Sequence, residues 1–171
     1  MARALSHVDR RGRVKMVDVG DKPVTDREAI ARGEITMSRA ALKAIREGSV
    51  AKGDPLQAAR LAGIMAAKQT ATIIPLCHPL PLTHVGVDLT SIPRGYLIEA
   101  RVRTSARTGV EMEALVAVAA SALTIYDMLK AIDKSMVVGD IYLVEKRGGR
   151  TGTYRRSERS NRSKRSGRSD R

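Results

Sequence analysis

Apolar and polar residues alternate with a period of two in two neighbouring stretches. Val85, Val87 and Leu89 are separated by Gly86 and Asp88, and Tyr96, Ile98, Ala100 and Val102 by Leu97, Glu99 and Arg101. This alternation predicts two antiparallel strands, each with one face on a core and one largely polar face, turning at Pro93-Arg94-Gly95. KMVDVG, after Val14, predicts another short strand, with Met16 opposed to Val17 and Val19. A Pro-interrupted connection then leads to a short extended piece over Glu34 to Met37, and Gly139 to Lys146 predicts a last strand.

Between these lie helical periods. Ser38 to Glu47 carries Leu42 and Ile45 between a candidate N-cap, Ser38, and a stop, Gly48. Asp54 as cap, Pro55 at the first helical position and Gln57 closing a box-like pair predict a second helix running to about Thr70. The longest helical signal spans Thr108 to Lys134. Thirteen residues between Glu113 and Asp127 contain no Asp, Glu, Lys or Arg, which predicts a helix buried all round. That apolar run is too short to span a membrane. Segregated strands and helices predict an α+β sandwich with helices packed on one sheet face.

Composition narrows this picture. The 171 residues include no Phe or Trp and four Tyr, so the core must be Ala, Val, Leu, Ile and Met. Cys77 is the only cysteine, which excludes an intrachain disulfide, and no signal peptide is read at the N-terminus, so a cytoplasmic protein is expected. Of the net charge of +13, about half comes from residues 155–171, where eight Lys or Arg stand against two acids with no aliphatic residue. The expected division is a polar leader over 1–13, a single domain over 14–154 and a disordered Arg/Ser-rich tail over 155–171. Such a tail makes a basic nucleic-acid-associated protein the alternative function. The folded part lacks the aromatic platforms of single-strand binders, and no specific nucleic acid is expected as a partner.

Candidate chemistry gathers at helix ends. Glu111, Met112 and Glu113 open the long helix, and Asp127, Lys130 and Lys134 close it within about 60° of one another at roughly 100° per residue. The glutamates and lysines complement the helix dipole, whereas Asp127 opposes it and stands three residues before Lys130, where the two can tune each other's proton affinity. Lys52 precedes a helix N-terminus, a place that attracts anions, although Asp54 opposes this. In IIPLCHPLPL, Pro75, Pro79 and Pro81 stiffen an apolar loop that presents His78. Cys77, His78 and His84 lack a fourth ligand, so no metal site is expected. Arg147 to Gly152 is a basic glycine-rich segment that fits no nucleotide-loop fingerprint.

Together, MVDVGDKPVTDREA, KGDPLQAARLAGIMAAKQT, IPLCHPLPL, SARTGVEMEAL and LTIYDMLKAIDKSMVVGDIYLVEKRGGRTG resemble the molybdenum cofactor biosynthesis protein C family, the cyclic pyranopterin monophosphate synthases, over residues 14–152. The resemblance implies a ferredoxin-like α+β fold and a homohexamer built as a trimer of dimers. It also implies a lyase that converts 3′,8-cyclo-7,8-dihydroguanosine 5′-triphosphate to cyclic pyranopterin monophosphate with release of diphosphate. Position by position, it implies Asp127, Lys52 and Lys130 as catalytic residues. Leu76, Cys77, His78, Met112 and Glu113 would contact substrate, with Glu111, Arg27, Lys68 and Lys146 as further lining candidates. Arg107 stands where the family commonly has a lysine, and the tail has no counterpart. No redox step or electron carrier follows, although a triphosphate can bring Mg²⁺ with it. Glu113 and Asp127 are fourteen residues apart, roughly 21 Å along a helix, so a site lined by both is expected to draw on two subunits.

Overall fold

A central strand, β1 (Thr25–Thr36), organises the computed structural model, which describes Val8 and residues 11–157. It is followed by α1 (Arg39–Glu47), α2 (Pro55–Lys68), the single turn α3 (Thr70–Ile73), β2 (Leu82–Ile92), β3 (Gly95–Ala106), α4 (Glu111–Leu129), β4 (Val137–Arg147) and β5 (Tyr154–Arg155). The sheet is antiparallel throughout, in the order β2-β3-β1-β4-β5. With α2 and α4 packed on one face, this is a ferredoxin-like α+β fold with a short fifth strand added at the edge.

The length of β1 departs from the sequence expectation. KMVDVG forms no strand, and Val14 makes only an isolated bridge to Val8, while the supposed connection and the short extended piece are one twelve-residue strand. Its core face is Ala29, Ala31, Gly33 and Ile35, of which the first three are too small to read as an apolar stripe. Small size is what the packing demands, because a Cβ at Gly33 would lie 2.7 Å from Val118 Cγ1 of α4. On the other face, the chain's charges pair across strands: Arg32 with Glu99 at 2.7 Å, and Arg101 with Glu28 at 3.0 Å. The β2–β3 hairpin forms as expected. Gly95 is required there by close approach, since a Cβ would sit 1.8 Å from the Ile35 carbonyl oxygen.

α4 is buried on its inner side only. Ala114, Ala117, Val118, Ala122, Ile125 and Leu129 pack on the sheet and α2, and the Ser121 hydroxyl donates to the Ala59 carbonyl at 2.9 Å where Gly63 lets the helices approach. The outer side leaves Leu123 61% exposed, beside α2, whose own Leu61 is 60% and Met65 51% exposed, which corrects the expectation of burial all round. The whole helix, at 19 residues, is apolar and long enough to cross a membrane by length and composition. Its packing against β1, β3, β4 and α2 makes it a core helix.

The predicted caps hold with one change. Ser38 Oγ accepts from the Ala41 amide at 3.3 Å, Gly48 ends α1 at φ 65°, and Asp54 accepts from the Leu56 and Gln57 amides. Gln57 closes no box; its side chain accepts from Arg60 at 2.8 Å, and α2 ends at Lys68. α4 likewise ends at Leu129, so Lys134 leaves the helical face it was expected to share with Asp127. Asp133 secures the following loop, accepting from the Ser38 amide at 2.7 Å and from the Ser135 amide and hydroxyl. These bonds hold its carboxyl down at about 2. A depressed folded-state pKa gives stability present above the ordinary carboxylate value and lost as pH falls through 2. Asp133→Ala is expected to cost about 1–3 kcal/mol at neutral pH by leaving the Ser38 amide unmet, as read by urea unfolding.

At the C-terminal end, Glu145 pairs with Arg147 and Arg155, and the Arg156 guanidinium lies 4.7 Å from the Tyr142 ring centroid. Residues 155–157, expected as the start of the tail, therefore lie in or beside β5. The rest of that tail, and most of the 1–13 leader, lie outside the described residues.

Candidate active site

The C-terminal end of α4 meets the N-terminal approach to α2. Here Lys52 and Lys130 grip Asp127 from two sides: Lys52 Nζ lies 2.7 Å from Oδ2 and Lys130 Nζ 2.7 Å from Oδ1. Lys52 also donates to the Asp127 main-chain carbonyl at 3.0 Å, which it can reach because the helix end leaves that carbonyl free. Hydrogen bonds from Lys130 and then Lys52 hold the Asp127 carboxyl down at about 2, and Asp127 in turn raises the Lys130 ammonium. All three side chains are about half exposed. The cluster therefore offers two lysine amines fixed around one carboxylate, facing outward from the chain.

The N-terminal end of α4 carries a different chemistry. A cavity of about 360 Å³ is lined by Leu76, Cys77, His78, Glu111, Met112 and Glu113, together with Val17, Lys22, Thr108, Gly109 and Arg150. His78 Nε2 lies 2.9 Å from the Val17 carbonyl. A carbonyl only accepts, so Nε2 carries the proton and Nδ1 is left for another partner. Glu113 is 4% exposed, and burial, aided by the Glu111 charge, pushes its carboxyl up to about 6. Burial, with the charge of Glu113, pushes the Cys77 thiol up, so it is not an activated nucleophile. Because Glu113 ionises less readily folded than unfolded, its contribution to stability is complete below pH 4.5 and is lost as pH rises through about 6. Glu113→Gln is expected to gain about 2 kcal/mol over the parent at pH 7.5 and almost nothing at pH 4.5 in urea unfolding. No gain at pH 7.5 would mean that a cation from outside this chain already neutralises the carboxylate.

A second cavity, of about 520 Å³, adjoins the first and shares Lys22, Thr108, Gly109 and Arg150 with it. Arg27, Arg107, Gly149 and Thr151 complete its polar wall, so four cations line it with no carboxylate. Arg27 packs so tightly on the glycine-rich segment that a Cβ at Gly149 would fall 2.0 Å from Nη1. Arg27 Nε and Thr25 Oγ1 are both buried without a hydrogen-bond partner. Four cations without a carboxylate fit a polyphosphate. Among the described residues, no group of three His, Cys, Asp or Glu side chains could hold a metal ion.

Of the residues singled out in the sequence, Asp127, Lys52 and Lys130 come together at one end of α4, and Leu76, Cys77, His78, Glu111, Met112 and Glu113 at the other. Arg27 lines the second cavity, and Lys146 reaches its rim by donating to the Thr151 hydroxyl. Lys68 is exposed in the last turn of α2 and lines neither cavity. Lys22 and Arg150 were not singled out. Arg150 sits in the basic glycine-rich segment already noted, whereas Lys22 carries no signal in a polar stretch.

A ferredoxin-like domain thus carries two adjoining cavities at one end of α4 and a lysine-flanked carboxylate at the other, and its relatives place it in the class of small-molecule biosynthetic enzymes. The chain belongs to the MoaC family, whose model matches residues 16–149. It is 58% identical over 156 residues to the cyclic pyranopterin monophosphate synthase of Thermomicrobium roseum, covering 90% of this chain and 94% of that protein. It is 57% identical to the synthase of the same name from Nostoc sp., covering 88% and 90%, and 53% identical to that of Parvibaculum lavamentivorans, covering 90% and 98%.

Proposed function

We propose that the protein converts 3′,8-cyclo-7,8-dihydroguanosine 5′-triphosphate to cyclic pyranopterin monophosphate with release of diphosphate, by lysine and carboxylate acid-base catalysis. The observation that carries the reading is the adjoining pair of cavities, one with carboxylates and apolar walls, the other with four cations and no acid. A guanine-derived ring presents N–H donors that carboxylates such as Glu111 and Glu113 can accept, and its flat body suits Leu76 and Met112. The triphosphate suits Lys22, Arg27, Arg107 and Arg150, which would also stabilise the departing diphosphate.

Ring opening and reclosure require protons to be delivered and withdrawn at several atoms, which is the role proposed for Lys52 and Lys130. Asp127 orients both ammonium groups through its two oxygens. Glu113 and Asp127 stand roughly 21 Å apart along α4, too far for one nucleotide-sized ligand to meet both in one chain. A second copy is therefore part of the proposal. The outward apolar residues Leu61, Met65 and Leu123 support a helix-to-helix contact between subunits, within the homohexamer, a trimer of dimers, that the family resemblance implies. The lone, unactivated Cys77 suits a cytoplasmic setting.

Incubation with the cyclised triphosphate, followed by measurement of diphosphate and of the cyclic phosphate product, tests the reading directly. Absence of both with folded, assembled protein would overturn it. The alternative, action on nucleic acid through the basic tail, makes the opposite demand on residues 158–171. Their removal is expected to leave turnover unchanged and to weaken only salt-sensitive polyanion binding, measured as the slope of affinity against salt.

A further inference from the structure

At the opposite end of β3 from the cleft, a cavity of about 510 Å³ lies between α1 and the β2–β3 turn, lined by Arg39, Leu42, Arg46, Ser91, Ile92 and Tyr96, among others. None of these residues belongs to the site described above. Arg39 and Arg46 are seven residues apart on α1, which puts them on one face about two turns from each other. Neither has a carboxylate partner among the described residues. Arg46 donates from Nε only to its own helix, to the Leu42 carbonyl at 3.4 Å, and Arg39 makes no ion pair.

Tyr96 supplies the independent observation. It is 6% exposed, yet its hydroxyl makes no hydrogen bond among the described residues. The ring is buried while the hydroxyl keeps contact with solvent, so the phenol presents an unengaged O–H donor to the cavity. Burial pushes the phenol up, so it remains an O–H donor at neutral pH. Two free guanidiniums at the rim, a donor inside and apolar walls from Leu42 and Ile92 together select a ligand with both anionic and hydrocarbon parts.

We propose that this cavity is a second ligand site, taking a small organic phosphate whose phosphate lies between Arg39 and Arg46 and whose hydrocarbon part enters against Leu42 and Ile92, with the Tyr96 hydroxyl donating to it. Guanidinium forks match phosphate oxygens in pairs, which favours phosphate over a single carboxylate. The apolar walls separate such a ligand from free inorganic phosphate.

Calorimetric titration of the full chain with phenyl phosphate and with inorganic phosphate, at fixed ionic strength, tests the site. Phenyl phosphate is expected to bind about tenfold more tightly than inorganic phosphate, because only it fills the apolar part. Arg39→Gln combined with Arg46→Gln should weaken it about tenfold or more, and Tyr96→Phe, which keeps the ring and its packing, by about threefold to tenfold. Arg27→Ala combined with Arg150→Ala should leave this binding intact, and turnover of the Arg39 and Arg46 double variant should be unchanged. Binding insensitive to the Arg39 and Arg46 changes, binding lost only with Arg27 and Arg150, or no saturable binding at all would each overturn the proposal. Equal affinity for the two phosphates would overturn its organic component. Should Tyr96→Phe fail to fold, the exposed arginine pair still decides the result.

Discussion

Asp127→Asn is expected to lower turnover by about 10²–10⁴-fold, the range over which a positioned proton-transfer group acts, while circular dichroism and assembly state stay unchanged. The side chain is 55% exposed and packs into no core, so its removal touches no buried contact. What it removes is the charge that fixes two ammonium groups at 2.7 Å each. Asn keeps one oxygen and loses the charge, so Lys52 and Lys130 separate and the raised affinity of Lys130 for its proton falls. Lys130→Ala is expected to be as damaging. The pH profile adds a second reading. With Asp127 held at about 2, it stays ionised throughout the usual assay range, so an acid limb near pH 6 in kcat/KM is expected to report Glu113 instead. Near-parental product formation by either variant would remove the cluster from the mechanism, and loss of folding would make its role structural.

The second large effect concerns mixtures of chains. Glu113→Ala and Asp127→Ala proteins are each expected to be inactive, yet co-refolding them in equal amounts should restore about a quarter of the parental sites. In a mixed pair related by a two-fold axis, one site collects both lesions and the other neither, and half of all pairs are mixed under random assembly. The separation of roughly 21 Å along α4 is what forces this outcome if one ligand meets both residues. No recovered activity, with subunit exchange shown by mass-labelled chains, would place both residues in one chain's site or exclude one of them from catalysis.

Much of this arrangement is already written in local chemistry. The hairpin of β2 and β3 follows from period-two alternation around Pro93-Arg94-Gly95, and both predicted N-caps, Ser38 and Asp54, follow from short polar side chains that satisfy free amides. The pairing of Asp127 with Lys130 follows from their i, i+3 spacing. These features depend on neighbours within a few residues. They needed no fold.

Other features depend on partners far away in sequence, and only the tertiary structure decided them. Most of β1 reads as a connection because α4 demands Ala and Gly on its core face, and such residues carry no apolar period. Lys22, with no local signal, becomes part of the cleft because the chain before β1 folds beside the loop holding His78. Lys52 meets Asp127 across 75 positions, an ion pair that no spacing rule reaches. The long apolar run of α4 predicted burial on every side, whereas the sheet and α2 cover only its inner side and leave Leu123 outside. Hydrophobic pattern determines that a face must be covered; it does not say whether the cover comes from the same chain, because the free energy of removing apolar surface from water is the same in either case.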